Sequence, residues 1–302
     1  MPEQHIPVGD VELCYETFGQ QDDPAVLLIM GLGTQMLAWR EEFCEQLAAE
    51  GYFVIRFDNR DVGRSTHFSD TRPPSMVELL TRRPRNLAYT LEDMADDAAG
   101  LLHALELEDA HIVGASMGGM IAQLVAVRHP HRTRSLTSIM STTGATRVGQ
   151  PGLKVLPFLV KAPAKEREAA IERVVELFDI VGSPGFERDV AATREMAGIS
   201  FDRSSDRRGA GRQLGAILAS GNREPLLRTI TAPTLVIHGT DDKLVSVSGG
   251  KATAKAIPDA RLELIKGMGH DLPPGAWDRI VGMIASHART ADSRTAAPAP
   301  VE

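Results

Sequence analysis

The sequence predicts an α/β fold in which a mostly parallel central sheet is flanked by helices and carries an inserted helical cap. Short apolar runs rich in β-branched residues alternate with amphipathic stretches along most of the chain, as parallel strands buried on both faces alternate with crossover helices. The alternation stops between about Gly144 and Arg228. With 302 residues and 43% hydrophobic composition, the chain is long enough for one such domain with an insertion.

The elements of this fold follow in chain order. Val8-Gly9-Asp10-Val11 lies between two short alternating runs and predicts a β-hairpin with a Gly-Asp turn. Six short apolar runs then predict the buried strands of the sheet: residues 26–30, 53–57, 111–113, 136–140, 235–238 and 262–265. Apolar residues at three- and four-residue spacing predict a helix that packs on the sheet before the strand at 111–113: Met94, Ala98, Leu101, Leu102 and Leu105.

The region that interrupts the alternation is predicted to form a mostly helical cap. One helical stripe lies in a charged segment: Ile171, Val174, Val175 and Phe178. Residues 153–160 are also more apolar than a surface loop requires. Both sets are expected to pack the cap on the core, and four positions are also predicted to line a lipophilic pocket: Leu156, Phe158, Val174 and Phe178.

The predicted domain division follows from these patterns. Residues 1–143 and 229–289 form the two parts of the core, and residues 144–228 form the cap. The last segment, 290–302, is rich in Ala, Pro, Ser and Thr, and this composition predicts a disordered tail.

A nucleophile elbow is predicted where the strand at 111–113 turns into a helix. Gly114-Ala115-Ser116-Met117-Gly118 matches the pattern Gly-x-Ser-x-Gly and opens a helical stretch. Such a turn forces the serine into a strained conformation, and side chains larger than glycine on either side would collide with the neighbouring strand and helix. Ser116 Oγ is therefore expected to stand above the sheet. Taken alone, the pentapeptide is also compatible with a glycine-rich helix start.

Two later segments supply an acid and a base. The apolar run at 235–238 ends in a loop with Asp241 and Asp242, and the run at 262–265 ends in a loop with His270. Because the carboxyl ends of parallel strands meet at one edge of the sheet, these side chains are expected near Ser116. His238 lies inside a strand and is interpreted as a packed core residue.

Four phrases carry a resemblance to a known family. They are Ile29-Met-Gly-Leu-Gly33, Arg56-Phe-Asp-Asn-Arg-Asp-Val-Gly-Arg-Ser65, Gly114-Ala-Ser-Met-Gly-Gly119 and Gly267-Met-Gly-His270. With them the chain resembles the serine α/β-hydrolases related to aclacinomycin methylesterase and the bacterial lipase/esterases close to it. The similarity runs from about Val8 to His287 and is weakest in the middle third. The phrase from Asp58 to Ser65 also occurs in epoxide hydrolases and cofactor-free haloperoxidases, and we interpret it as an aspartate–arginine network that braces loops beside the site.

The resemblance implies roles for individual residues. The family's order of nucleophile, acid and base corresponds to Ser116, Asp242 and His270. Gly239-Thr-Asp-Asp242 is similar to the Gly-x-x-Asp usual at this position, which favours Asp242 over Asp241 as the acid. The family also places two oxyanion-hole amides in the loop after an early strand and on the residue after the nucleophile, which correspond to the backbone N–H groups of Leu32 and Met117.

Composition limits the other function classes. The net charge of −7 and the lack of a basic face give no reason to expect nucleic acid as a partner. Cys14 and Cys44 lack metal-ligand spacing and are expected to be reduced thiols, so the sequence predicts neither a metal site nor a cofactor. No apolar stretch reaches the roughly 18 residues of a membrane span, and the N-terminus does not resemble a signal peptide. A cytoplasmic location is the expectation.

The function predicted from these observations is hydrolysis of carboxylic esters through a Ser-His-Asp triad and an acyl-enzyme. The expected partner is a small-molecule ester or a lipophilic acyl substrate, and a homodimer is a further expectation. The same triad suits thioesters, phospholipids, enol-lactones, carbon–carbon bonds and perhydrolysis. A ligand-binding protein on a hydrolase scaffold is the alternative from another class, since a fold does not by itself imply a function.

Overall fold

A computed structural model of the protein describes residues 2–160, 164–204 and 206–295. Within these ranges, eight strands form one sheet: β1 (Gln4–Val8), β2 (Val11–Phe18), β3 (Ala25–Ile29), β4 (Phe53–Phe57), β5 (Ala110–Ala115), β6 (Thr133–Ile139), β7 (Thr234–Gly239) and β8 (Arg261–Ile265). Their order is β1-β2-β4-β3-β5-β6-β7-β8. The β1–β2 and β2–β4 pairs are antiparallel and the others are parallel. The predicted hairpin and the six predicted strands are confirmed.

Helices connect these strands. In chain order they are α1 (Glu41–Ala49), α2 (Met76–Thr81), α3 (Leu91–Ala104), α4 (Met117–Arg128), α5 (Leu156–Val160), α6 (Arg167–Val181), α7 (Val190–Arg203), α8 (Gly209–Ser220), α9 (Glu224–Leu227), α10 (Ser248–Ala256) and α11 (Trp277–Thr295). The predicted stripe that begins at Met94 lies in α3. A capping box fixes the start of this helix, because Thr90 and Asp93 each accept the backbone N–H of the other.

Alternation along β3 explains why helices cover both faces of the sheet. Side chains of successive strand residues point to opposite faces. Leu27 and Ile29 pack in a core with α3 and α4, whereas Val26 and Leu28 pack in a second core with α1 and α11. All four side chains are fully buried. The predicted mostly parallel sheet flanked by helices is therefore the observed arrangement, and it fixes the carboxyl edge where β3, β5, β7 and β8 end.

The inserted helices lie between β6 and β7. Helices α5 to α9 occupy this connection, and the predicted stripe that begins at Ile171 lies on α6, with Ile171 itself buried. We call helices α5 to α9 the cap. The domain boundaries at residues 144 and 228 stay predictions.

The C-terminal helix is longer than the sequence indicated. α11 continues to Thr295, so residues 290–295 are helical where a disordered tail was predicted. The physical reason is a stripe of small residues, since Ala288 and Ala291 continue the buried face of Ile280 and Ile284 at helical spacing. The sequence did not predict this part of the helix because its buried residues are alanines, and a segment rich in Ala, Pro, Ser and Thr has a composition typical of disorder. Residues 296–302 lie outside the described residues.

Among residues 2–160, 164–204 and 206–295, no helix combines the length and the apolar character that a membrane crossing requires.

Candidate active site

Ser116 lies on a sharp turn between β5 and α4. Its backbone has φ 57° and ψ −119°, a strained conformation for a residue with a Cβ. A Cβ on Gly114 would lie 2.1 Å from the carbonyl oxygen of Gly118, and one on Gly118 would lie 2.0 Å from that of Ile29. Both glycines of the predicted elbow are therefore required by close backbone packing. The turn leaves Ser116 half-buried at the carboxyl edge of the sheet.

The structure brings the three predicted residues of the triad together. His270 Nε2 lies 2.9 Å from Ser116 Oγ, and His270 Nδ1 lies 2.7 Å from Asp242 Oδ2. An ionised carboxylate can only accept a hydrogen bond, so Nδ1 carries the hydrogen and Nε2 is the acceptor for the Ser116 hydroxyl. This is the tautomer that a general base requires.

The adjacent aspartates have different environments. Asp242 is buried, and its Oδ1 accepts the N–H groups of Leu244 and Val245 at 2.9 and 2.8 Å. Burial alone would raise the pKa of Asp242, but the charge and hydrogen bonds of His270 and His238 lower it to about 2. Asp241 is exposed, and its carboxylate accepts the Gly267 N–H at 3.1 Å. Asp242, and not Asp241, is the carboxylate bonded to His270.

A second histidine lies behind Asp242. The His238 side chain is fully buried, its Nε2 donates to the Val245 carbonyl at 2.8 Å, and the same atom lies 3.5 Å from Asp242 Oδ2. The sequence interpretation as a packed residue is consistent with this position. The contact between His238 and the Asp242 carboxylate was not predicted. The signal that could have indicated it is the spacing of four residues between His238, near the end of β7, and Asp242 in the following loop.

The loop that carries His270 is held by the end of α6. The N–H of His270 donates to the Val181 carbonyl at 2.7 Å, and the N–H of Gly269 donates to Ser183 Oγ at 2.8 Å. Ser183 in turn donates to Asp271. Burial raises the pKa of Asp271, against the effect of the Ser183 hydrogen bond. Sequence patterns gave no signal for Ser183.

The loop after β3 lies beside the nucleophile. A Cβ on Gly31 would lie 3.0 Å from Ser116 Cβ, so the backbone of Gly31 directly neighbours Ser116. We call residues 31–34 the Gly31 loop. Met117 is the first residue of α4, where backbone N–H groups and the positive end of the helix dipole are available. Within the described part of the chain, neither the Leu32 nor the Met117 N–H donates to a protein acceptor.

The four residues predicted to line a pocket lie on α5 and α6. Leu156 and Phe158 belong to α5, and Val174 and Phe178 belong to α6. The Leu156 side chain is 43% exposed, and the other three residues are half-buried. Arg173 of α6 joins the two helices by donating to the Phe158 carbonyl at 3.0 Å. Their contact with substrate stays a prediction.

The segment after β4 forms the aspartate–arginine network that the sequence suggested. Asp58 accepts the N–H groups of Met36 and Arg64 at 2.8 and 3.0 Å. The network extends into the cap, because Arg203 of α7 lies 2.9 Å from Asp58 and Arg212 of α8 makes two 2.7 Å bonds to Asp61. The cap arginines could not be assigned from sequence, since their partners lie far away along the chain.

His, Cys, Asp and Glu are the side chains that could bind a metal ion, and cysteine could also act as a nucleophile. Across residues 2–160, 164–204 and 206–295, His, Cys, Asp and Glu side chains form no group of three that could hold a metal ion. Cys14 and Cys44 are free, buried thiols. Burial raises the pKa of each to about 12, so both are protonated at neutral pH and are poor nucleophiles.

The fold and the site geometry together are those of an α/β hydrolase with a serine on the nucleophile elbow. Comparison with protein families agrees: the model described as alpha/beta hydrolase fold matches residues 24–179, and a second, described as serine aminopeptidase, S33, matches residues 204–273. The chain belongs to the α/β-hydrolase family and is a hydrolase.

The known relatives have different hydrolytic activities. Rhodomycin D methylesterase DauP of Streptomyces sp. (strain C5) is 30% identical, with 96% of this chain and 99% of the relative covered. 3-Oxoadipate enol-lactonase 2 of Acinetobacter baylyi is 26% identical, with 86% and 87% covered. Among solved structures, the enol-lactonase from Burkholderia xenovorans LB400 has a TM-score of 0.74 at 24% identity and covers 95% of this chain and 100% of its own. This last likeness concerns the fold.

Proposed function

We propose that the protein hydrolyses carboxylic esters by acyl transfer through Ser116, His270 and Asp242. The observation that carries the proposal is the continuous hydrogen-bonded chain from Ser116 Oγ through both nitrogens of His270 to Asp242. His270 takes the hydroxyl proton while Oγ attacks the ester carbonyl, and a tetrahedral intermediate forms. Asp242, held ionised by its lowered pKa, stabilises the protonated imidazole.

The amides of Leu32 and Met117 are proposed to hold the oxyanion of that intermediate. Both belong to backbone segments next to Ser116, and such donors stabilise charge that develops only in the transition state. Collapse of the intermediate releases the alcohol, which takes its proton from His270 and leaves the acyl group on Oγ. Water, deprotonated by His270, then attacks the acyl-enzyme, and the acid leaves as Ser116 regains its proton.

Methyl esters are the substrate class that the relatives favour. The methylesterase named above aligns over nearly the whole of both chains. A lactone is a second candidate, because an enol-lactonase also aligns over most of both chains and a lactone is a cyclic ester that the same steps would open. The cap, proposed as the part above Ser116 that contacts the rest of the substrate, would decide between them.

A fluorophosphonate probe tests the proposed nucleophile. We expect stoichiometric labelling of the wild-type protein at Ser116 and none of Ser116→Ala, with both proteins equally folded by circular dichroism. Asp242→Asn is expected to slow labelling, because the base loses its orientation. A folded wild-type protein that is not labelled would support the binding-protein alternative instead.

A substrate panel tests the reaction class. We expect kcat/KM to be highest for a methyl ester or a lactone when these are compared with p-nitrophenyl esters, acyl thioesters, phospholipids and vinylogous diketones. Every activity that belongs to the site should disappear in Ser116→Ala. Preference for a thioester or for a carbon–carbon bond, lost in the same variant, would reject the ester assignment while keeping the nucleophile.

A further inference from the structure

The Leu32 N–H lies in one peptide plane, and the next plane is joined to it at the Leu32 Cα. The C=O of Gly31 and the N–H of Leu32 share one trans peptide plane and point in opposite directions. Gly31 O accepts the Thr34 N–H at 3.2 Å, which fixes that plane and turns the Leu32 N–H away from this bond. The next plane contains Leu32 O and the N–H of Gly33. Thr34 Oγ1 donates to Leu32 O at 3.1 Å.

The other end of this second plane is held by the cap. Gly33 N–H donates to Gln213 Oε1 of α8 at 2.7 Å, and Gln213 Nε2 donates to the Arg60 carbonyl at 2.9 Å. Because one neighbour is a donor and the other is an acceptor, the orientation of the amide group is determined. Gln213 is fully buried, so its bonds do not compete with solvent.

Helix α8 also packs closely against the backbone of Gly33. Gly33 has φ 63°, and a Cβ on it would lie 2.7 Å from Ala210 Cβ of α8. The backbone of Gly33 therefore packs directly against Ala210 of α8. Gln35, which follows the loop, is also held by the cap, since Gln35 Nε2 donates to the Ser200 carbonyl of α7 at 2.7 Å and Gln35 accepts from Arg203.

We propose that Gln213 is a positioning residue for the oxyanion hole: its amide group holds the Gly33 peptide and thereby aims the Leu32 N–H at the oxyanion. This inference rests on the proposed ester hydrolysis and on Leu32 as a donor. It gives the cap a part in the chemical step. Without Gln213 of α8, the Gly33 N–H would lose its acceptor and the hole would lose its fixed geometry.

Gln213→Met tests the proposal, with Gln123→Met as the matched control. Gln123 of α4 is also fully buried, and it donates to Ser138 Oγ of β6 at 3.3 Å. Methionine keeps the length of the side chain and removes its hydrogen bonds in both variants. We expect Gln213→Met to lower kcat by about tenfold to a hundredfold with KM nearly unchanged, as for a misplaced catalytic donor, and Gln123→Met to keep the wild-type kcat.

Two further measurements separate positioning from folding. A trifluoromethyl ketone forms a hemiketal whose oxyanion occupies the hole, so its affinity should fall by the same factor as kcat/KM in Gln213→Met. Thr34→Val removes the bond to Leu32 O at the other end of the same plane and should shift kcat in the same direction. A lower melting temperature with wild-type kcat and inhibitor affinity, in both variants, would overturn the proposal.

Ser116→Ala in the same assay distinguishes the two levels of inference. If Ser116→Ala retains activity, the proposed function itself fails. If Ser116→Ala is inactive while Gln213→Met, Thr34→Val and Gln123→Met all match the wild type in kcat, the proposed function stands and the role of Gln213 fails.

Discussion

Two neighbouring carboxylates at the carboxyl edge of the sheet show how strongly position determines the role of a residue. Asp242 is buried, accepts two backbone N–H groups and is bonded to His270. Asp241 is exposed and accepts from the Thr240 hydroxyl and the Gly267 N–H. Only the first can orient an imidazole.

We predict that Asp242→Asn lowers kcat by about 10⁴-fold, because an amide at this position favours the wrong tautomer of His270. Asp241→Asn should retain most of the activity, since the carboxylate it removes serves the loop and not the histidine. Steady-state kinetics of the two variants on one ester provides the measurement. The reverse ranking would show that the acid is Asp241 in the working enzyme.

A histidine far from the site should make stability depend on pH. Burial and the charge of Arg261 lower the pKa of His287 from 6.5 to about 4, although its hydrogen bond to the Pro233 carbonyl opposes this. Between those values the unfolded chain binds a proton that the folded chain does not, so stability falls as the pH decreases from 6.5 towards 4.

His287→Gln removes this titration and keeps a donor for Pro233. We predict that the wild type loses about 2 to 3 kcal/mol relative to the variant between pH 7.5 and 4.5. Urea unfolding of both proteins at the two pH values measures the difference. A constant difference across this range would mean that His287 titrates normally in the folded protein.

The sequence predicted some individual residues and not others, for a physical reason. Ser116 follows β5 directly, and Asp242 and His270 lie in the short loops after β7 and β8, so a short local motif marks each of them. Ser183 and Gln213 act on loops that lie 86 and 180 positions away in the chain. Such contacts depend on how the cap packs on the core, and no local pattern encodes that placement.

At the scale of elements, buried ion pairs join the cap helices to the core. Arg212 of α8 and Asp61 are both almost completely buried and share two hydrogen bonds. Asp61 also accepts from the Tyr89 hydroxyl at 2.6 Å, and burial together with the charge of Asp61 raises the pKa of Tyr89. Removal of Arg212 would leave the buried carboxylate of Asp61 without the cation that is hydrogen-bonded to it.

We predict that Arg212→Met lowers the free energy of unfolding by about 3 kcal/mol, the usual result of breaking a buried pair on one side. Arg194→Met is the control, because Arg194 joins α7 to Glu172 of α6 at 2.6 Å but is 37% exposed, and exposed pairs contribute about 1 kcal/mol or less. Guanidinium unfolding of both variants gives the comparison. Equal losses would show that the Asp61 pair is no stronger than a surface pair.

The sequence located the strands, but it did not locate the end of the last helix. Strands β3 to β7 are buried runs between turn residues, so hydrophobicity alone located them. β8 was also located, although its position at the edge of the sheet leaves Arg261 exposed and only Ile265 buried. The end of α11 was not predicted, because its buried face is made of alanines at that point. Composition is a weak guide where small residues form the packed face.

Under the proposed ester hydrolysis, we expect the core to carry the chemistry and the cap to carry the selectivity. Strands β5, β7 and β8 deliver Ser116, Asp242 and His270 to one edge of the sheet, and this arrangement is independent of the acyl group. Ser183, after α6, and Gln213 of α8 contact the loops that carry His270 and Leu32. If the proposed function is correct, we expect the cap to distinguish different acyl groups.

The predicted pocket residue Leu156 provides a test of that division. Its side chain is 43% exposed, so Leu156→Ala should cost little stability. If it contacts substrate, the preference for long over short acyl chains should fall by up to about fourfold per methylene lost from contact, because burying one methylene contributes about 0.8 kcal/mol. Acetate esters should be cleaved as before.

Leu226→Ala is the matched control for this prediction, since Leu226 on α9 is also 43% exposed and is not among the predicted pocket residues. Values of kcat/KM for p-nitrophenyl esters from acetate to octanoate should keep their wild-type ratios in Leu226→Ala and change them in Leu156→Ala. Two results would reject a pocket role for Leu156: equal losses for every chain length, or the same change of ratios in both variants. In either case Leu156 would serve only to pack the cap, and selectivity would have to come from other residues.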